Sequence, residues 1–247
     1  MENYVMGYEN ELAGFAEEYW DDYEDMYVGE HEGECENAVD SSDYIERWYR
    51  DCDPEDGSSC EFVSTVEDYD TFVNCGAIED MVDAITSNVT DVDSDESCGI
   101  HIHVDQNHFT TLHYYNAVKF MNTLEHDYLI YSVAGREDGR YHNRVFRRID
   151  GSYPTCIDSK SVRVSRRNHL GTVEFRVFQA TTNADTIKRY FQFVHAVTAF
   201  TDPEIFENSI DSFVEFVKNE DGYGILIRHL EEEFINAQKG GHYLPCN

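Results

Sequence analysis

Three short segments of the chain place ionisable residues at positions i and i+2, and in two of them apolar residues alternate with the pair. The three pairs are Glu9 and Glu11 in GYENEL, His101 and His103 in GIHIHV, and Glu174 and Arg176 in TVEFRVF. Side chains two residues apart on a β-strand point to the same side of a sheet, so each pair would share one face. A face that gathers carboxylates, imidazoles and a guanidinium is costly unless metal ions, ligands or water occupy it. The pattern therefore predicts a ligand-binding face.

Each pair taken alone has a simpler interpretation. A Glu-x-Glu strand is commonly a solvent-facing surface, a His-x-His pair also occurs in zinc hydrolases, and Glu-x-Arg is commonly a cross-strand ion pair. The occurrence of all three in one chain of 247 residues favours a shared site. Three classes stay open on the residues alone: an enzyme that uses hard divalent cations, a zinc-dependent hydrolase that uses His101 and His103, and an inert acidic domain.

The hydrophobic pattern predicts the elements that would position these pairs. Period-two and β-branched segments predict strands over residues 4–12, 59–65 and 99–104, and a hairpin formed by residues 161–167 and 172–178. Helical spacing of apolar residues predicts helices over residues 70–88, 110–133, 184–199, 203–218 and 223–237. Because helices interrupt the strands irregularly, the order favours an α+β fold with a mostly antiparallel sheet. One face of that sheet would be functional, and helices would pack on the other.

No long linker or internal repeat divides the chain. We therefore expect a single domain over residues 1–247, with an acidic variable segment at 13–36 and a helical C-terminal part at 183–240. The acidic segment carries ten carboxylates and is expected to be solvated and partly helical.

The order of the motifs resembles the amidoligase family, which belongs to the glutamine synthetase-like carboxylate–amine ligases. The matching elements are Gly7-Tyr8-Glu9-Asn10-Glu11, Asp40-Ser41-Ser42, Glu61-Phe62-Val63-Ser64, the segment from Cys98 to Val104, Arg136, and the segment from Thr172 to Phe178. They span residues 7–178, and the helical stretches that follow fit the family's usual ending. The resemblance implies a fold like the catalytic domain of glutamine synthetase, with ATP and Mg²⁺ or Mn²⁺ as cofactors.

The resemblance also assigns roles to individual residues of this chain. The implied metal ligands are Glu9, Glu11, Glu61, His101, His103 and Glu174, with the choice between the two histidines left open. The implied catalytic residues are Arg136, Arg163 and Arg176. The implied ATP-binding residues are Arg136, Arg176 and Ser64.

The implied reaction joins a carboxyl group to an amine. A substrate carboxylate attacks the γ-phosphoryl group of ATP, and the amine then displaces phosphate from the acyl phosphate to give an amide or isopeptide bond. The substrates would be small-molecule or peptide carboxylates and amines. A zinc hydrolase and a catalytically inactive relative that binds nucleotide or peptide remain the alternatives. The family is common in small genomes, including viral ones, so a virus-encoded origin is compatible with the resemblance.

The charge of the chain restricts its partners. It has 50 acidic against 18 basic residues, a net charge of −32, so neither nucleic acid nor an anionic membrane is an expected partner. Ten of the 18 bases lie between residues 136 and 176, where they could hold a polyphosphate or a carboxylate. The chain has no predicted signal peptide or membrane span, and its seven cysteines lack a CxxC pair. These features predict a cytoplasmic protein with free thiols, and they leave the oligomeric state open.

We expect the protein to be halophilic, so that its melting temperature rises as KCl is raised to molar concentration. The screening length falls from about 10 Å at 0.1 M to about 3 Å at 1 M, which weakens the repulsion between its carboxylates. Calorimetry across a KCl series measures this shift. Maximal stability in low salt would contradict a high-salt origin.

Overall fold

The computed structural model describes residues 3–12, 19–21, 26–28, 32–51, 59–90, 98–135, 162–164 and 171–235. The described strands are β1 (Val5–Leu12), β2 (Tyr19–Asp21), β3 (Met26–Val28), β4 (Ile45–Asp51), β5 (Ser59–Ser64), β6 (Glu67–Asp68), β7 (Gly99–Asp105), β8 (Val162–Val164) and β9 (Thr172–Gln179). The described α-helices are α1 (Glu32–Asp40), α2 (Tyr69–Val73), α3 (Ala77–Asn88), α4 (Thr111–Asn122), α5 (Asp127–Ala134), α6 (Ala184–Phe200), α7 (Ile210–Asn219) and α8 (Gly224–His229).

The central sheet has the strand order β4-β5-β1-β7-β9-β8, and the short β6 pairs with the beginning of β1. All of the pairings described in this sheet are antiparallel. β2 and β3 form a separate two-stranded ladder. The predicted α+β fold with a mostly antiparallel sheet is therefore confirmed. None of the helices in the described ranges is both long enough and apolar enough to cross a membrane.

The two faces of the sheet differ as the alternation of residues predicts. In β1, Met6, Tyr8 and Leu12 are buried, whereas Glu9 and Glu11 lie on the opposite, partly exposed face. The one aromatic ring of β1 contacts the helices directly, since the Tyr8 ring lies 5.4 Å from the Phe191 ring of α6 and 5.9 Å from the Phe72 ring of α2. We call the side that carries Glu9 and Glu11 the open face.

Helix α6 forms the centre of the helical layer and packs against α2, α3, α5, α7 and α8. It begins where predicted, because the Asn183 side chain accepts a hydrogen bond of 2.9 Å from the backbone N–H of Thr186. Most of its residues are buried, including the phenylalanines at positions 191, 193 and 200. Burial of a large aromatic side chain is worth about 1.5–3 kcal/mol, so α6 contributes strongly to the stability of the sheet it covers.

Two predicted helices are each interrupted. The helix predicted over residues 70–88 is two helices, α2 and α3, because Gly76 adopts φ = +91°, a left-handed conformation that ends one helix and begins the next. The helix predicted over residues 110–133 ends at Asn122, where Thr123 turns to an extended conformation (φ −76°, ψ 123°). The His126 ring lies 2.9 Å from the Phe120 carbonyl oxygen and caps that end.

Two other differences concern where elements begin. The helix predicted over residues 203–218 begins only at Ile210, because Ser209 caps its first turn and Asp202 bonds the backbone N–H of Glu204 in a turn. Strand β4 was not predicted. Its alternation is disturbed by a register shift between Ile45 and Arg47, which leaves Glu46 without a partner in β5.

Several predicted features lie partly outside the described residues. The hairpin is confirmed in its pairing of β8 with β9, but residues 165–170 at its turn are outside the described ranges. Within the acidic segment at 13–36 the structure describes β2, β3 and the beginning of α1. The other residues of that segment are not described.

We expect Tyr8→Phe to leave the free energy of unfolding unchanged or to raise it by about 1 kcal/mol. The Tyr8 hydroxyl is buried without a hydrogen-bond partner among the described residues, and burial raises its pKa. Tyr190→Phe is the matched control, because that hydroxyl donates to the Ala134 carbonyl oxygen at 3.1 Å and its loss should cost about 1 kcal/mol. Urea unfolding of both variants measures the difference; equal losses would show that the Tyr8 hydroxyl is satisfied.

Candidate metal centre

The strand register brings the three sequence pairs together on the open face. Glu9 of β1 lies directly opposite His101 of β7, and His103 lies directly opposite Glu174 of β9. On the other side of β1, Glu11 lies opposite Glu61 of β5. Residues on four adjacent strands therefore point to one region, as the spacing in the sequence predicts.

Glu9 is at the centre of this cluster. Its Oε2 atom lies 3.2 Å from His101 Nδ1 and 3.4 Å from His103 Nε2. The His101 ring also lies 3.8 Å from Glu174 Oε1 through its Nδ1 atom. The Glu174 side chain is only 2% exposed, so its carboxylate is almost entirely removed from water. A buried carboxylate of this kind requires a compensating cation or hydrogen bonds.

The pKa of Glu9 shows how strongly its surroundings favour the ionised form. Burial alone would raise this pKa, but polar contacts with His101, His103 and Glu61, together with electrostatic attraction to the His103 imidazole, outweigh burial and lower the pKa well below its usual range. Glu9 is therefore a carboxylate at neutral pH. An ionised carboxylate between imidazoles is the form that binds a metal ion.

Two groups of side chains in the described residues could each hold a metal ion. One consists of Glu9, His103 and Glu174, and the other of Glu9, Glu61 and His101. Within each group the candidate ligand atoms lie within 4.8 Å of one another, and Glu9 belongs to both groups. Two carboxylates and one imidazole per group form the mainly oxygen donor set that suits Mg²⁺ or Mn²⁺.

An unsatisfied atom supports the fit between this cluster and a metal ion. The Nε2 atom of His103 is buried and makes no hydrogen bond among the described residues, although it lies 3.4 Å from Glu9 Oε2. The two atoms are close enough for an ion pair, but their geometry is not that of a hydrogen bond. A buried ring nitrogen without a partner is costly, and a metal ion between Glu9 and Glu174 would give it one.

Glu11 and Ser64 make contacts within the protein. Glu11 Oε2 accepts a hydrogen bond of 2.9 Å from the backbone N–H of Gly99, at the beginning of β7, and Oε1 lies 3.7 Å from His101 Nε2. The Ser64 hydroxyl accepts from the Tyr8 backbone N–H at 2.8 Å and donates to the Thr65 carbonyl oxygen at 2.7 Å. The metal role predicted for Glu11 and the ATP role predicted for Ser64 stay predictions.

The three predicted arginines are described to different extents. Arg176 is half-buried, and its Nη1 atom donates to Glu174 Oε1 at 2.6 Å. A register shift between Ile100 and Ile102 places Arg176 and Val177 together opposite His101, so Arg176 stays beside the cluster while Phe178 returns to the core. Arg163 pairs with Glu174 in the backbone register of β8 and β9, and its side chain is not described. Arg136 lies outside the described residues.

The edge strand β4 extends the open face in a way that the sequence analysis missed. Arg47 lies opposite Val63 and Tyr49 opposite Glu61, so both are on the same side as the cluster. The Arg47 guanidinium lies 5.2 Å from the centre of the Tyr49 ring. The alternation of this strand could have revealed it, but the unpaired Glu46 shifts the pattern by one residue.

The element at residues 40–42, which resembles an Asp-x-Ser motif, does not join the cluster. Asp40 and Ser41 are exposed at the end of α1, and the Ser42 hydroxyl donates to Asp80 of α3. This element connects α1 to α3 instead.

No family model matches the chain, and no curated protein matches it. Among solved structures, the glutamine synthetase of Plasmodium falciparum, determined by cryo-electron microscopy, aligns with 98% of this chain and 73% of its own, at 10% sequence identity and a TM-score of 0.47.

We expect Glu9→Gln to abolish stabilisation by Mn²⁺, because Glu9 is the residue that both candidate metal groups share. Thermal unfolding with and without MnCl₂ measures this effect, and ten- to a hundredfold excess of metal over its Kd should raise stability by about 1.4–2.7 kcal/mol in the wild type. Glu46→Gln is the control, since Glu46 is an exposed carboxylate on β4. An unchanged Mn²⁺ response in Glu9→Gln would remove Glu9 from the metal centre.

Proposed function

We propose that the chain is an ATP-dependent carboxylate–amine ligase whose open face holds two divalent cations, Mg²⁺ or Mn²⁺. The observation that carries this proposal is the convergence of Glu9, His103 and Glu174, and of Glu9, Glu61 and His101, into two groups that share one carboxylate. The members of these groups come from the motifs on which the resemblance to the amidoligase family rests, and those motifs meet on one sheet face.

The proposed reaction consumes one ATP for each bond formed. An oxygen of the substrate carboxylate would bond to the γ-phosphorus of ATP and release ADP, after which the amine nitrogen would bond to the acyl carbon and release phosphate and a proton. The cations, when bound, would neutralise charge on the phosphoryl group in transfer. The substrates would be a small-molecule or peptide carboxylate and an amine.

The residues of the chain would divide this work between binding and orientation. Glu9, Glu61 and Glu174 would hold the cations, together with an imidazole from each group. Arg176 contacts Glu174 and is half-buried beside the cluster, so it could orient that carboxylate and offer its remaining N–H groups to a phosphate oxygen. Arg163 and Arg136 would supply further positive charge, as the family resemblance implies.

The donor set favours this proposal over a zinc hydrolase. A zinc site built on the His-x-His pair needs both imidazoles on one ion. In the described part of the chain, His101 and His103 belong to different groups, and each group contains two carboxylates. That oxygen-rich division suits a harder cation than zinc.

The experiment that tests the proposal measures ADP release in molar KCl with ATP and MgCl₂, across panels of carboxylates and amines. We expect turnover that requires metal, an acid and an amine together, and we expect hydroxylamine, as the amine, to yield a hydroxamate. Glu174→Gln should lower turnover by at least about a hundredfold, because it removes a ligand and the partner of Arg176.

The circular dichroism spectrum of Glu174→Gln must match that of the wild type, because only then does a loss of turnover result from the changed site and not from unfolding. The variant Glu204→Gln is the control, since Glu204 is an exposed residue on the helical side of the chain. ADP release that needs neither acid nor amine would contradict a ligase and indicate a nucleotide hydrolase. Hydrolytic activity that needs zinc and no ATP would favour the alternative enzyme.

A further inference from the structure

The two histidines of β7 have different surroundings. His103 Nδ1 lies 3.1 Å from the Thr172 hydroxyl oxygen, and its Nε2 atom has no hydrogen-bond partner among the described residues. His101 instead faces carboxylates with both ring nitrogens, at 3.2 Å from Glu9 and 3.7 Å from Glu11. Only His103 therefore has one nitrogen against a neutral hydroxyl and the other directed at the cluster.

Strand pairing, rather than a loop, fixes the position of Thr172. Thr172 is the first residue of β9 and lies opposite Asp105, two residues beyond His103, so its side chain is the diagonal neighbour of the His103 ring. Gly171 precedes it with φ = +60°, and its carbonyl oxygen accepts a hydrogen bond of 2.8 Å from the Gln106 backbone N–H. A side chain at position 171 would meet the Gln106 side chain at 3.3 Å. The strand pairing and this backbone hydrogen bond hold the Thr172 hydroxyl beside the imidazole.

Metal binding fixes which nitrogen of His103 must carry the proton. A neutral imidazole has one N–H donor and one lone pair, and a hydroxyl can either accept or donate. A cation held by Glu9 and Glu174 needs the Nε2 lone pair, which leaves the proton on Nδ1, where Thr172 Oγ1 lies 3.1 Å away to accept it. Without that hydroxyl the metal-binding form would lose the acceptor of its N–H, and Glu9, whose Oε2 lies 3.4 Å from Nε2, would favour a proton on Nε2 instead.

We propose that Thr172 is a positioning residue that holds His103 in its Nδ1-protonated form, so that Nε2 is the ligand atom for a divalent cation shared with Glu9 and Glu174. The inference rests on the proposed metal-dependent function and adds to it the ligand atom and the residue that orients it. Partners of this kind fix the ring and tautomer of metal-binding histidines, and their loss typically costs about 10- to 100-fold in metal affinity.

The test compares Thr172→Val, which keeps the shape of the side chain but removes the hydroxyl, with Thr172→Ser, which keeps the hydroxyl. In the Mg²⁺-loaded protein, ¹⁵N NMR of His103 reports the tautomer. We expect Nδ1–H in the wild type and in Thr172→Ser, and a shift toward Nε2–H in Thr172→Val at the same Mg²⁺ concentration. Mn²⁺ affinity by calorimetry should fall about 10- to 100-fold in Thr172→Val and recover in Thr172→Ser.

Thr86→Val is the matched control, because the Thr86 hydroxyl donates to the Val82 carbonyl oxygen of its own helix, α3, in the helical layer. An Nε2–H tautomer in the Mg²⁺-loaded wild type, or an unchanged Mn²⁺ affinity in Thr172→Val, would overturn the inference. A wild type that binds no Mn²⁺ would overturn the inference together with the proposed function. Mn²⁺ binding that depends on Thr172 without any ATP turnover would contradict the proposed function alone.

Discussion

The antiparallel register of β1 between β5 and β7 is the constraint on which the candidate site depends. It sets Glu9 opposite Val63 on one side and His101 on the other, and the pairing of β7 with β9 then sets Glu174 opposite His103. A slip of one residue would turn Glu9 into the helical layer and Tyr8 onto the open face. The rings of Phe72 and Phe191 against Tyr8 oppose that slip, because they need an apolar partner on the core side. The same strand register therefore both buries the core residues and assembles the site.

The same register concentrates carboxylates on the open face. Glu11 and Glu61 are directly opposite each other across two strands, where like charges are destabilising. Glu174 is almost entirely buried, beside the guanidinium of Arg176 and the imidazole of His101. In a chain with a net charge of −32, such a concentration of carboxylates gains most from positive charge supplied by bound cations. This is the physical reason to interpret the open face as a metal centre rather than a solvated surface.

The sequence predicts the central strands and their faces well, because a period of two is a direct signal of a half-buried strand. It cannot predict the departures from that period. The irregularity in β9 places Val177 and Phe178 both in the core, and the pair of adjacent apolar residues was the only sign of it. The break at Gly76 depends on a left-handed backbone conformation, which a glycine permits but does not require. The contact between Thr172 and His103 depends on strand register, which no local pattern specifies.

We propose that the open face binds two cations that share Glu9, and electron paramagnetic resonance of the protein titrated with Mn²⁺ tests this most directly. We expect two Mn²⁺ ions per chain whose spectra show magnetic coupling, because one carboxylate belongs to both ligand groups. A stoichiometry of zero would contradict the metal centre. A single uncoupled ion at saturation would contradict the shared role of Glu9.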